Sequence, residues 1–422
     1  MKFVLASYGT RGDIEPSIVV ARELVRRGHE VNIAVAPDSV GFVEAAGLPA
    51  VAFGLDTRTW LDIYRNFWTS FFRGFWKIRE MRRLWREMWT LSDQCWAQIN
   101  ETLTSLADGA DVLIAGQAYQ EPAANVAEYY GIPLVTLHHV PIRANGRLVT
   151  ILPAPLGRAA MTVFDWLTWL LNKKVEDTQR RELGLPKATG PTSQRVAGRG
   201  ALEVQAYDEV CFPGLADEWS KWDGQRPFVG TLTMELATSV DEEVTNWIAA
   251  GTPPICFGFG SMPVESPADT IRMISAASAQ LGQRALVCAG YSDFSDVPQF
   301  DHVKVVGAVN YAAIFPACRA VVHHGGSGTT AASMRAGVPT LILSMDANQT
   351  LWGAQLKRLK IGTTRRFSAT TQESLVADLR RILAPDYAVR AREIASRMST
   401  PAESNHRAAN LVEDFARLKS TA

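Results

Sequence analysis

The feature that most constrains this chain is an alternation of strands and helices that runs through the first half and starts again in the second. KFVLASY (2–8), EVNIAVA (30–36), PAVAFGL (49–55), DVLIAG (111–116) and IPLVTLHHV (132–140) are short, nearly continuous apolar runs. PICFGFGSM (254–262), RALVCAG (284–290), HVKVVGAV (302–309), RAVVHHGG (319–326) and PTLILSM (339–345) repeat the plan. Strands apolar on both faces are covered on both sides, and parallel strands need crossover helices between them. Helical spacing fills the gaps: Ile18, Val19, Ala21, Leu24 and Val25 share one face of a helix predicted from Pro16 to Arg27 and stopped by Gly28. Further helices are expected over 121–130, 268–281, 329–336, 349–360, 371–384 and 386–398. At 422 residues the chain exceeds a single core. The turn-rich LADEWSKWDGQRPFVGTLT (215–233) separates the two units. The expectation is an α/β protein with two parallel sheets.

Composition excludes several classes. Lys+Arg and Asp+Glu both number 43, a balance unlike that of a basic nucleic-acid binder. The five cysteines lie far apart with no CxxC pair, and read as reduced thiols of a cytoplasmic protein. Met1-Lys2 leads straight into a strand, so no secretory leader is expected. No apolar run reaches the ~18 residues of a membrane span.

The chemistry concentrates in AVVHHGGSGTTAASMRAGVPTLILSMDANQTLWGAQL (320–356). A buried strand ends in two histidines, and a glycine turn opens a helix. Backbone N–H groups and the dipole at a helix N-terminus favour an anion. Gly326 and Gly328 let it approach the backbone, and Ser327 and Thr329 add hydroxyl donors. Histidine beside the turn adds a charge-assisted bond when protonated. This is a cradle for a phosphate or diphosphate. Gly326 to Ala331 also fits the dinucleotide pattern G-x-G-x-x-G/A, with Asp346 further on. That pattern leaves the two histidines and the Asn348-Gln349 pair unexplained. The P-loop, HExxH, G-x-S-x-G and D-x-D patterns are absent.

GTRGDIEP (9–16), GFGSM (258–262), HHGGSGTT (323–330) and NQTLWGAQ (348–355) together resemble the GT-B glycosyltransferases of family 1. Whole stretches such as FVLASYGTRGDIEPSIVVARELVRRGHEV resemble the mycobacterial glycopeptidolipid glycosyltransferases. The resemblance implies two Rossmann-like domains facing a central cleft: 1–214 for the acceptor, 215–230 as linker, 231–400 for a nucleotide-sugar. Residues 401–422 would form a C-terminal helix crossing back to the first domain. It implies that His324, Gly326, Ser327, Gly328 and Thr329 hold the donor diphosphate, with Ser261 touching the same phosphates. Val309 and Asn310 would read the pyrimidine, and Asn348 and Gln349 the sugar hydroxyls. The family usually has aspartate at 348, and asparagine there turns the expectation from UDP-glucose toward a dTDP-6-deoxyhexose such as dTDP-rhamnose. Glucosyl transfer from UDP-glucose to sterols, phenolics or macrolides is the alternative, and a nucleotide-sugar-binding protein without activity is another. The nucleotide-sugar is a co-substrate; no cofactor and no metal are implied.

In that frame the first loop holds no phosphate. Asp13 is the expected general base of an inverting single displacement, since an alcohol is a poor nucleophile until its proton is removed. The other reading of Asp13 is a cap on the following helix. Thr10 and His138 are expected beside the acceptor, and His139 ends the same strand. The stretch 60–96 holds six tryptophans, and Trp68, Phe71, Phe72, Phe75 and Trp76 share one helical face. It reads as core, as a pocket for a hydrophobic hydroxyl-bearing acceptor, or as an interfacial helix giving peripheral contact with the inner membrane face. A lipid-linked acceptor unites the last two.

Overall fold

The computed structural model describes residues 1–59, 78–149, 152–260, 264, 266–290, 293–294 and 296–420. Ser261, Trp68, Phe72 and Trp76 lie outside the described residues. The first sheet holds β1 (Lys2–Ser7), β2 (Glu30–Val35), β3 (Ala50–Ala52), β4 (Val112–Ala115), β5 (Leu134–His138) and β6 (Leu202–Gln205), in the order β3-β2-β1-β4-β5-β6. The second holds β7 (Ile255–Gly258), β8 (Ala285–Cys288), β9 (Val303–Val306), β10 (Ala320–His323), β11 (Thr340–Ser344) and β12 (Gly362–Arg366), in the order β12-β11-β10-β7-β8-β9. Every pairing within the two sheets is parallel. Both orders are the doubly wound order. Each reverses direction between its first and fourth strands, and ligands bind outside the carboxyl ends of the strands at that crevice. The reversal points are β1/β4 and β7/β10. The loops after β1 and β10 carry two of the four sequence motifs, GTRGDIEP and HHGGSGTT.

The first helix begins earlier than its apolar spacing indicates. It spans Arg11–Arg26, with Pro16 inside it. Thr10 and Asp13 form a reciprocal cap that starts the helix before the proline. Ile14, Ile18, Val20 and Leu24 are fully buried in one core with β1 and β2. The C-terminal helix Pro401–Ser420 returns to this helix and buries Ala408, Val412 and Ala416 in the same core. Arg27 and His29 hold its Glu413 at 2.8 and 3.3 Å. The Ile78–Leu106 helix covers the other face of the sheet, where Cys95, Ile99 and Leu103 are fully buried.

The end of the first unit and the linker pack together against the second unit. Tyr207, Phe212, Leu215 and Trp219 share a core with Met334, Ile342, Trp352 and Leu356. Arg335 fastens the crossings: it donates to the Thr231 and Ser399 carbonyls at 2.7 and 2.9 Å and to Thr233 Oγ1 at 3.1 Å. All five cysteines are free and buried.

Candidate active site

On the first sheet, β1 ends at Ser7 and the chain turns through Gly9, whose φ of +134° suits glycine. A side chain at position 9 would run into the Asp13 carboxyl. Thr57 Oγ1 donates to the Gly9 carbonyl at 3.3 Å and steadies the turn. The Asp13 carboxylate is divided between two tasks. Its Oδ2 accepts from Thr10 N–H at 2.8 Å and Thr10 Oγ1 at 3.0 Å. Its Oδ1 lies 3.4 Å from His139 Nε2, and the Asp13 side chain is 35% exposed. The cap and an available carboxylate oxygen therefore coexist. Thr10 serves Asp13 as its cap partner.

The adjacent histidines at the end of β5 face opposite ways, as strand geometry requires. His138 is fully buried, with its Nδ1 3.3 Å from the Gln205 amide. Burial, with Arg143 and Arg226 nearby, pushes its pKa well down. This corrects the expectation that His138 lines the acceptor site: its ring belongs to the core. His139 is the one that meets Asp13, and its backbone N–H donates to Gln117 Oε1 at 3.1 Å. Burial lowers the His139 pKa, against the pull of the Asp13 charge.

On the second sheet, β10 delivers His323 and His324. Gly325 N–H donates to His323 Nδ1 at 2.9 Å, so His323 is a strand-end structural residue. His324 is 8% exposed, and its Nδ1 is buried without a hydrogen-bond partner. Burial takes its pKa down to about 4, opposed by the backbone of Gly258, so the ring is neutral at pH 7. The charge-assisted form is therefore not the resting state. The Ser327–Arg335 helix starts immediately afterwards, with Gly326 as N-cap and no side-chain cap. Its first N–H groups, on the partly exposed Ser327, Gly328 and Thr329, have no intrahelical acceptor. A Cβ at position 326 would come within 2.6 Å of His324 Nε2, so glycine keeps this ring nitrogen beside the turn. An anion fits here on two counts: the uncapped N-terminus, and the neutral imidazole set against it.

The pair expected to meet the sugar, Asn348 and Gln349, is arranged differently from its sequence appearance. Asp346 is the N-cap of the Ala347–Leu359 helix, with Gln349 N–H donating to its Oδ1 at 2.9 Å. Gln349 is buried, and its Oε1 accepts from Met345 N–H at 2.7 Å. That oxygen is committed to the start of the helix, while Asn348 is exposed one residue earlier. Asn310 caps the short Tyr311–Ile314 helix, accepting from Ala312 N–H at 3.1 Å, and Val309 is buried beside it.

The two sheets present these groups to one another. Loss of solvent around the Asp346 carboxyl raises its pKa, and the charge of Asp13 adds to the rise. Arg11 opposes the upward shift that burial imposes on the Tyr311 phenol. Glu15 Oε1 accepts from Met234 N–H at 2.7 Å, which ties the first helix to the start of the second unit. Sequence spacing assigns no role to Gln117, offers Asp346 only as the acid of a dinucleotide pattern and His139 only as a neighbour of His138 at the acceptor side, and foresees neither the Asp346 cap nor the His139–Asp13 approach. The HH pair and DANQ are visible there, but which side chain faces the cleft depends on strand pleat and cap geometry.

Comparisons with known proteins bear on the family and the fold. Residues 3–102 match the glycosyltransferase family 28 N-terminal domain. Residues 284–418 match the erythromycin biosynthesis protein CIII-like C-terminal domain. The chain is 59% identical over 420 residues to the uncharacterized glycosyltransferase Rv1524 of Mycobacterium tuberculosis (strain ATCC 25618 / H37Rv), covering 99% of both chains. Among solved structures, the calicheamicin glycosyltransferase CalG4 superposes with a TM-score of 0.71 at 18% identity, covering 98% of both chains. The glycosyltransferase VinC in complex with dTDP gives 0.64 at 19% identity, covering 98% of this chain and 99% of that one. The latter two establish the fold. With both sheets, the two family models and a relative covered over 99% of both chains in agreement, the chain belongs to the GT-B glycosyltransferases with a family 28-type N-terminal domain.

Proposed function

We propose that the chain is an inverting, metal-independent transferase that moves a 6-deoxyhexose from a dTDP-sugar to a hydroxyl of a hydrophobic, lipid-type acceptor. The observation that carries the reading is that Asp13, on the first sheet, lies near enough to the second for its charge to act on Asp346 after β11, the strand next to the one that delivers His324 and the uncapped helix N-terminus. The acceptor hydroxyl gives its proton to Asp13 Oδ1 as its oxygen attacks the anomeric carbon from the face opposite the diphosphate. The leaving diphosphate gains negative charge. The N–H groups of Ser327, Gly328 and Thr329 receive it, and His324 donates from Nε2 as a neutral imidazole. His139 Nε2 steadies the same Asp13 oxygen. The absence of D-x-D from the sequence supports a diphosphate held by N–H groups. The dTDP bound by VinC supports the nucleotide. Asn348 in place of an acid supports a sugar with one hydroxyl fewer to satisfy.

The test is competition between dTDP-rhamnose and UDP-glucose for one long-chain phenolic acceptor, read as product mass. The expected product is the deoxyhexoside. A wild type that transfers only glucose overturns the donor assignment.

A further inference from the structure

We propose that one exposed face of the Ala154–Glu182 helix docks on an anionic lipid bilayer. Leu156, Val163, Phe164, Leu167, Leu170 and Leu171 are each more than half exposed, Phe164 at 71%. Their spacing places all six on one arc of the helix. The arc runs for about 22 Å at 1.5 Å per residue. Trp166 flanks it, 37% exposed. A contiguous apolar patch of this kind on a folded protein marks an interaction surface.

The opposite face explains why the helix does not roll this patch inward. Trp169, Glu176, Gln179 and Arg180 are buried. Gln179 Oε1 accepts from Trp96 Nε1 at 3.0 Å and from Asn125 Nδ2 at 2.9 Å, and Arg180 holds Glu128 at 2.9 Å. Turning the helix would bury the patch but break this network and strand its charges.

The charges choose the partner. Asp165 is bound by the Ser193 hydroxyl at 2.5 Å, Arg158 pairs with Glu218 at 2.8 Å, and Lys173 pairs with Asp177 at 2.9 Å. Lys174 and Arg181 are exposed, have no acid partner among the described residues, and continue the line of Val163 and Leu167 at helical spacing. Glu182, bonded to Asn100 at 3.5 Å, is the exposed acid beside them. An apolar arc running into unpaired cations, with tryptophan at its margin, matches a helix lying in an interface of anionic headgroups and acyl chains. A second copy packed antiparallel would instead set Lys174 and Arg181 against its apolar Leu156 end. No described helix is long and apolar enough to cross a membrane, so the contact is with the surface.

The experiment is co-sedimentation of the full chain with phosphatidylcholine vesicles, with and without phosphatidylglycerol, in the absence of any nucleotide-sugar. It therefore fails or succeeds independently of the donor assignment. Wild type is expected in the pellet with phosphatidylglycerol at low salt. Leu167→Gln with Leu170→Gln should lower partitioning more than about tenfold. Lys174→Gln with Arg181→Gln should lower it about fivefold per cation and flatten its salt dependence. Wild type left in the supernatant, or both variants binding as wild type does, overturns the proposal. So does a marked fall in melting temperature for Leu167→Gln with Leu170→Gln, which would show the face to be covered by the protein itself. A concentration-dependent dimer abolished by the same variant would also overturn it, and assign the face to a second copy.

Discussion

Asp13 shows how one residue carries two readings at once. Oδ2 starts a helix and Oδ1 is left to the cleft. Gln349 shows the reverse: its oxygen is spent on the start of a helix, so only its NH2 group remains to meet a sugar. In the function proposed above, discrimination then falls on the exposed Asn348. An ionised carboxylate accepts hydrogen bonds roughly twice as strongly as a neutral amide oxygen. Asn348→Asp is therefore expected to shift the ratio of specificity constants toward UDP-glucose by about 1–2 kcal/mol, the worth of one regained hydrogen bond. Kinetics with both donors and one acceptor measure it, and an unchanged ratio shows that position 348 does not read the sugar. The sequence marked both positions but not their division of labour. It also marked His138 and His139 together, and only the pleat of β5 separates the core residue from the one at Asp13.

At the scale of elements, the Ser327–Arg335 helix and the His324 ring form one device. Gly326→Ala should leave the fold intact, since the backbone at φ −60°, ψ 143° suits alanine. Its Cβ would displace the ring from the turn. Calorimetric affinity for free dTDP should fall about tenfold or more, the loss of one bond to a charged group. Equal affinity would place the diphosphate elsewhere. Ten of the twelve strands among the described residues were legible as apolar runs. The two that were not are the last strand of each sheet. LEVQ of β6 reads as polar because Glu203 sits in it, yet Glu203 is fully buried and paired with Arg143 and Arg226. GTTRR of β12 is an edge strand, and Arg365 pairs with Asp378 on a following helix. Both patterns make sense only with partners that sequence spacing does not reveal. The 29-residue helix carrying the exposed apolar face is not among the helices expected from spacing.

The whole molecule inherits a pH dependence from its buried rings. His138 and His323 are held well below their usual range by burial, and His324 is taken from 6.5 to about 4. Below pH 6.5 the unfolded chain binds protons on these rings while the folded chain does not. Their effect is absent well above pH 6.5, and stability is lost as pH falls from there toward 4. For His324 alone the loss reaches about 3 kcal/mol. Glu23, lowered to about 2 by hydrogen bonds from Arg26, contributes above pH 4.5 and loses that contribution as pH falls toward 2, in the same direction. Thermal melts should be level above pH 7 and descend steeply below 6.5, and His324→Gln should descend less steeply. Parallel curves would mean that His324 is not buried in its neutral form. The central claim joins a base on one sheet to a diphosphate cradle on the other. Its most direct test is single-turnover transfer by wild type and Asp13→Asn, with dTDP affinity measured on the same samples. Asparagine keeps an oxygen for the Thr10 cap, so the account predicts intact dTDP binding with transfer reduced about 10²–10⁴-fold. Near-normal transfer by Asp13→Asn would contradict it.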